Sequence, residues 1–168
     1  MNKMREISVD KVVINIGVGE PGEPLKRAEQ VIKMIVPNKP VQTRAKVKAP
    51  TWGIREGLPI GVKVTLRKSK ADDFLKKAFQ AVDKSIKAKS FDKNGNFGFG
   101  IKEYIDLPGT KYDPKIGILG MDVLVSLKRP GFRVRRRKNS NKIGKNHLIS
   151  KQEAIDFVRN TYGVEVVE

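Results

Sequence analysis

At 168 residues and 18.8 kDa the chain has the length of one ordinary domain built on one hydrophobic core, with little room for a second fold. Lys and Arg number 35 against 18 Asp and Glu, a formal charge of +17, while 39% of residues are hydrophobic, enough apolar material to exclude a wholly disordered polyelectrolyte. A folded protein with that charge repels itself unless a polyanion balances it, and nucleic acid is the leading candidate.

Residues 11–18 (KVVINIGV) are β-branched and end in glycines, which predicts a strand leading into a tight turn through Glu20, Pro21 and Gly22. Over 24–36 the apolar residues Leu25, Ala28, Val31, Ile32, Ile35 and Val36 recur at helical steps, and Pro37 ends the helix. After a short extended piece at 40–44, the stretch 45–58 mixes Lys, Arg, Gly and Pro with neither period and reads as an exposed basic loop. Residues 61–67 (GVKVTLR) alternate, placing Val62, Val64 and Leu66 on a core face and Lys63, Thr65 and Arg67 on a basic, polar one. Ser69 is the expected N-cap of the next helix, with Asp72 and Asp73 in its first turn. Phe74, Leu75, Ala78, Phe79, Val82 and Ile86 trace its apolar face. Asn94-Gly95 predicts a tight turn between Phe91 and a strand at 97–101, and 121–127 (MDVLVSL) predicts another strand. The segment 128–147 is dominated by positive charge with no apolar period and reads as a mobile arm or long loop. Ser150 and Glu153 fit a capping box that opens a helix through Ile155, Val158 and Tyr162. Gly163 closes it before a last strand at 164–167. The expected architecture is a single α+β domain: an antiparallel or mixed sheet, helices packed on one face, and the other face open to a partner.

The sites of chemistry are few. Gly17, Gly19 and Gly22 satisfy a G-x-G-x-x-G pattern, but Glu20 puts a carboxylate where phosphate would bind, Pro21 removes a backbone donor, and Thr43 and Arg44 stand where an acidic residue would hold a ribose. A tight strand-to-helix turn explains the glycines better. His147 has no spaced nucleophile or carboxylate partner and reads as a surface or RNA-contacting residue, and Asp72 and Asp73 suit the helix dipole. No enzyme, cofactor or metal site is expected; cysteine is absent, which excludes disulfides and thiolate ligands. The apolar runs fall short of the roughly 18–20 residues a membrane span needs, and MNKMREISVD lacks the hydrophobic stretch of a signal peptide, so a cytoplasmic protein without membrane contact is expected. By contrast Arg133, Arg135, Arg136, Arg137 and Lys138 crowd together in a way that calls for phosphate counter-charge. The loop adds Trp52 to Lys46, Lys48 and Arg55, a mix suited to backbone contact plus base stacking; Trp52 tucked in as an anchor for its own loop is the alternative.

The segments VVINIGVGE (12–20), KPVQTRAK (39–46), GIREGLPIGVKVTLR (53–67), SFDKNGNFGFGIKE (90–103) and YDPKIGILGMDVLV (112–125) resemble, in order and spacing, the family of the fifth protein of the large ribosomal subunit, which carries 5S ribosomal RNA. The stretch GFRVRRRKNSNKIGKNHLISKQEAIDFV (131–158) and the short N-terminus look like its archaeal and eukaryotic branch. The resemblance implies a structural ribosomal protein whose helices cover one face of an antiparallel sheet while the other grips 5S RNA in the central protuberance. It implies RNA contacts at Asn15, Thr65, Arg67 and the residue two before Pro40. That residue is Asn38 here, a shorter amide where the family often carries Gln. It further implies that loop 45–58 reaches peptidyl-site transfer RNA, and that the protein touches large-subunit RNA, other central-protuberance proteins and a protein of the small-subunit head. Two rival functions share part of the pattern: a free nucleic-acid architectural protein or RNA chaperone shares the charge, and a dinucleotide enzyme shares the glycine turn.

Overall fold

The alternation of the first strand decides which residues are covered. In the computed structural model, which describes residues 2–167, β1 (Ser8–Gly17) buries Asp10, Val12, Ile14 and Ile16 and leaves Lys11, Val13 and Asn15 half open. The elements that follow are α1 (Glu23–Ile35), β2 (Val41–Arg44), β3 (Pro59–Leu66), α2 (Ser69–Ala81), β4 (Ser85–Lys87), β5 (Phe97–Ile101), β6 (Met121–Lys128), α3 (Lys151–Tyr162) and β7 (Glu165–Val167). Five strands form an antiparallel sheet in the order β2-β3-β1-β6-β5, so the fold is α+β as the sequence predicts. β3 and β6 repeat the one-sided burial of β1, with Lys63 and Thr65 exposed on one and Asp122 and Leu124 on the other.

The chain packs as two compact units, one of residues 13–66 and 100–123 and the other of residues 2–12, 67–99 and 124–167. In the first, Leu25, Ala28, Val31 and Ile32 form the buried stripe of α1, which packs against β3. β2 lies antiparallel to β3 with Thr43 opposite Gly61. A Cβ on Gly61 would come within 2.8 Å of both the Ile16 carbonyl oxygen and Thr43 Oγ1, so only glycine permits this approach. Tyr104 is fully buried, and its hydroxyl accepts the Asp113 N–H at 3.1 Å, tying down the long connection to β6.

In the second unit, α2 buries Ala71, Phe74, Leu75, Ala78 and Phe79. The Phe79 ring stacks on Phe99 at 5.4 Å and meets Tyr162 at 5.1 Å, while Phe91 and Phe97 stack at 4.9 Å. The Tyr162 hydroxyl donates to Asp72 Oδ1 at 3.0 Å, so Asp72 also anchors α3 to α2. Burial, aided by that carboxylate, pushes the Tyr162 hydroxyl well above the ordinary tyrosine range.

Several boundaries differ from the sequence reading. Ser69 is not the N-cap but the first helical residue. Lys68 takes the cap position at φ 56°, without a side-chain cap, and its carbonyl accepts from Ala71 and Asp72. The helical face also stops before Val82 and Ile86. Asp83 and Lys84 adopt positive φ, the Lys84 N–H turns back to the Phe79 carbonyl at 2.8 Å, and Ile86 enters β4, where it pairs in parallel with Val166 of β7. The segment 128–147 is a closed loop rather than a free arm. Its base is held by Arg129, whose Nη1 donates to the Leu148 carbonyl (3.1 Å) and Nη2 to Glu153 (2.7 Å). His147 Nε2 meets the Pro130 carbonyl at 2.8 Å, and the Asn141 N–H donates to Val134.

The Asn94-Gly95 turn forms as the sequence predicts, around Asp92, which accepts the N–H groups of Asn94 and Asn96. At Gly95, φ is +77°, and a Cβ would lie 2.6 Å from Ile149 Cγ2 and 3.2 Å from Ala154 Cβ. Gly109 also has positive φ, +93°, but open space around it. Gly95→Ala should therefore lose about 2–4 kcal/mol in urea unfolding, backbone strain plus overpacking, whereas Gly109→Ala should lose only roughly 1–2 kcal/mol, the strain alone. Equal losses would mean that the turn does not depend on its packing against Ile149.

Candidate nucleic-acid interface

β3 has its covered face filled by Val62, Val64 and Leu66, which leaves Lys63 and Thr65 outward, and Arg67 continues the alternation just past its end. In the unit of residues 13–66 and 100–123, the Asn38 amide donates to the Thr65 carbonyl at 3.5 Å, which ties the turn after α1 to β3. Asn15 stands half-exposed on the open side of β1, where it lines a shallow cleft of about 340 Å³ with Gly17, Gly100 and Gly120. Three glycines there leave backbone accessible, and a strand of nucleic acid can approach such a surface closely.

Loop 45–58 is ordered by its own backbone. The Ala45 N–H donates to Leu58, Ala49 and Ile54 pair as a bridge, and Gly53 takes a left-handed conformation after the 3-10 turn Pro50–Trp52. Trp52 is 78% exposed, so it is not tucked in as an anchor. Lys46, Lys48 and Arg55 are exposed around it. An exposed indole beside three cations is equipped to stack on a base while the cations meet phosphate.

The basic segment is organised by a residue that sequence reasoning missed. Asp10 is only 5% exposed, yet its carboxylate receives both terminal nitrogens of Arg136: Nη1 at 3.2 Å from Oδ1, and Nη2 in close contact with Oδ2. Lys128 Nζ lies 3.7 Å and Arg67 Nη1 4.0 Å from Oδ1. An acid in phase with Val12, Ile14 and Ile16 is the signal that could have revealed it, since a carboxylate on the core side of a strand requires a cationic partner. Arg133, Arg135, Arg137 and Lys138 are exposed around this cluster, with Arg137 Nε donating to the Asn139 carbonyl at 3.1 Å.

The glycine turn has no donors left over for a phosphate. The N–H groups of Val18 and Gly19 both go to the Ile60 carbonyl, at 3.0 and 2.8 Å, and Gly22 is the N-cap of α1 at φ 103°. Among the described residues no group of three His, Cys, Asp or Glu side chains is placed to hold a metal ion, and no helix is long and apolar enough to cross a membrane.

At Asp10 burial raises the pKa, but the Arg136 hydrogen bonds and the charges of Arg136, Lys128 and Arg67 outweigh it and bring the value below the ordinary 3.8. Glu153 is held below 4.5, chiefly by the Ser150 N–H and, against the opposing effect of burial, also by Arg129. Because both groups bind protons less readily folded than unfolded, their stabilisation is complete above the unfolded values and is lost as pH falls through the folded ones. Unfolding free energy should decline on acidification below about pH 5, and Asp10→Asn and Glu153→Gln should each flatten that decline in urea titrations run pH by pH. A variant with the wild-type acid profile would show that its carboxylate is not held in this way.

The sequence matches two family models end to end: "Ribosomal protein L5" over residues 2–55, and the model for the C-terminus of the same ribosomal family over residues 59–157. It is 51% identical to the large ribosomal subunit protein uL5 of Sulfurisphaera tokodaii, covering 100% of this chain and 96% of that one. It is 51% identical to the uL5 protein of Nanoarchaeum equitans, with 98% of each covered, and 48% identical to that of Methanoregula boonei, with 97% and 99% covered. The open strand face, the exposed cations and the unavailable glycine turn agree with these matches and not with a dinucleotide enzyme. The chain belongs to the ribosomal protein L5 family, structural and non-enzymatic constituents of the large ribosomal subunit.

Proposed function

We propose that this protein, acting as one domain, binds 5S ribosomal RNA and attaches it to the large subunit in the central protuberance. The observation that carries the reading is the exposed row Lys63, Thr65 and Arg67 outside a β3 whose other face is wholly apolar. Threonine and arginine on one extended segment can donate to successive backbone phosphates, and Asn15 and Asn38 add amides that both donate and accept. Arg133, Arg135, Arg136, Arg137 and Lys138 contact ribosomal RNA more generally. Lys46, Lys48, Trp52 and Arg55 meet peptidyl-site transfer RNA, and neighbours in the subunit and a small-subunit head protein complete the assembly.

The test is a gel-shift panel of 5S RNA against unrelated RNAs of equal length at moderate salt. A wild-type protein that binds all of them alike would be an architectural protein or chaperone instead. Arg67→Ala should weaken 5S binding by about 1.5–3 kcal/mol, the loss of a charged hydrogen bond. An unchanged dissociation constant in the folded variant would remove this face from the interface.

The two basic segments should separate. Neutralising Arg135 and Arg137 should lower affinity for ribosomal RNA and make the salt dependence shallower, by about 0.7–0.9 per lost phosphate contact. Neutralising Lys46, Lys48 and Arg55 should leave 5S binding by the isolated protein nearly normal, yet ribosomes reconstituted with it should hold peptidyl-site transfer RNA less firmly in filter binding. Loss of 5S binding from the loop changes alone, with circular dichroism unchanged, would assign the loop to a different RNA.

A further inference from the structure

We infer that Asp10 is a positioning residue for RNA recognition: it gathers Arg67, Lys128 and Arg136 into one preorganised phosphate clamp and so exchanges raw attraction for selectivity. The inference rests on the RNA-binding reading and adds to it an acid that no RNA would contact favourably.

A carboxylate beneath a polyanion-binding surface opposes binding, so its presence needs a reason. Burial supplies one part: Asp10 is 5% exposed, whereas the three cations keep 44–56% of their side-chain surface open. The acid therefore lies at the bottom of the cluster and the cations radiate from it toward solvent. Three like charges would otherwise repel one another; one carboxylate within 4.0 Å of all three lets them converge and leaves a local surplus of two positive charges. Geometry supplies the second part. Arg136 meets Asp10 through its two terminal nitrogens, a fork-on-fork contact that fixes the guanidinium plane and leaves its remaining N–H groups for a further acceptor. The cluster borders a cleft of about 400 Å³ walled by Ser8, Pro130, Phe132 and Arg133, wide enough for a sugar-phosphate unit. The third part is chain entropy. Arg136 directly follows the 3-10 turn Phe132–Arg135 in the basic loop, and Asp10 is at the far end of the sequence, so the pair closes the loop onto β1 and orients the flanking Arg135 and Arg137 before any RNA arrives.

The experiment measures RNA selectivity and loop closure side by side. In filter binding over a salt series, Asp10→Asn should reduce the preference for 5S RNA over an unrelated RNA of equal length about five- to tenfold. Its affinity for the unrelated RNA should hold or rise, since one repelling charge is gone. Trypsin should cut Asp10→Asn faster after Arg135, Arg137 and Lys138 in the absence of RNA. Arg136→Lys keeps the charge but loses the fork, so it should lose preference with its salt slope unchanged, and it serves also if Asp10→Asn does not fold. Adding Arg136→Lys to Asp10→Asn should cause little further loss. Undiminished preference in either folded variant, or equal weakening toward both RNAs, would overturn the inference. If the wild type itself shows no preference for 5S RNA, it is the 5S reading that fails, and tryptic cleavage then decides the role of Asp10: a loop cut no faster in Asp10→Asn is not positioned by it.

Discussion

Strands that carry apolar side chains at every second position can close a core on one side only, and this constraint sets both the packing and the chemistry of the chain. Val12, Ile14 and Ile16 on β1, Val62 and Val64 on β3, and Met121, Val123 and Val125 on β6 all lie buried, so the intervening residues must face away from the core. On β3 those residues are Lys63 and Thr65, followed by Arg67. A one-residue slip in register would turn that row inward and leave unpaired cations against the helices, so the same pairing that makes the core also enforces the RNA-facing side.

The alternating and helical periods were plain in the sequence because each reports a local rule. α3 is the clearest case: Ser150 and Glu153 form the reciprocal capping bonds, and Gly163 ends the helix in a left-handed conformation. Where tertiary contacts decided the outcome, local reasoning fell short. Val82 and Ile86 have helical spacing after Phe79, but the parallel partner that draws Ile86 into β4 lies in the last residues of the chain, and nothing near Ile86 announces it. Ser69 has the right side chain for a cap; the backbone of Lys68, at positive φ, does the capping instead. Trp52 could be weighed either way until its exposure was known, because an aromatic in a basic loop fits an anchor or a stacking platform equally well.

The charge was legible as a total and not as an arrangement. A formal charge of +17 says that a polyanion is wanted, but not that Asp10 would be set inside the basic surface. Period two contained that information, for Asp10 occupies a core-side position on β1 where a lone carboxylate would be costly to bury. Its partners could not be found the same way. Arg136 lies 126 residues away in a segment whose composition suggests a mobile arm.

Order in that segment follows from how few contacts are needed to hold it. Arg129 clamps its base to α3, His147 meets the Pro130 carbonyl and packs edge-on against Phe132, and Asp10 grips Arg136. Each contact uses a side chain to satisfy backbone or charge that would otherwise be left to solvent, and together they restrict a glycine-, serine- and asparagine-containing loop that has no apolar face of its own. Restricting it before binding matters because immobilising rotamer-rich side chains at an interface costs about 0.5–1.5 kcal/mol each. Loop 45–58 reaches a similar end by backbone pairing, with Ala45 bonded to Leu58 and Ala49 bridged to Ile54, which holds Trp52 out from the surface. The two basic segments are thus built by different means, one by side-chain ion pairs and the other by main-chain bonds. Only the ion-paired segment has an order that added salt would loosen, because screening acts on the charges of Arg136 and Asp10 and leaves a hairpin's amide ladder in place.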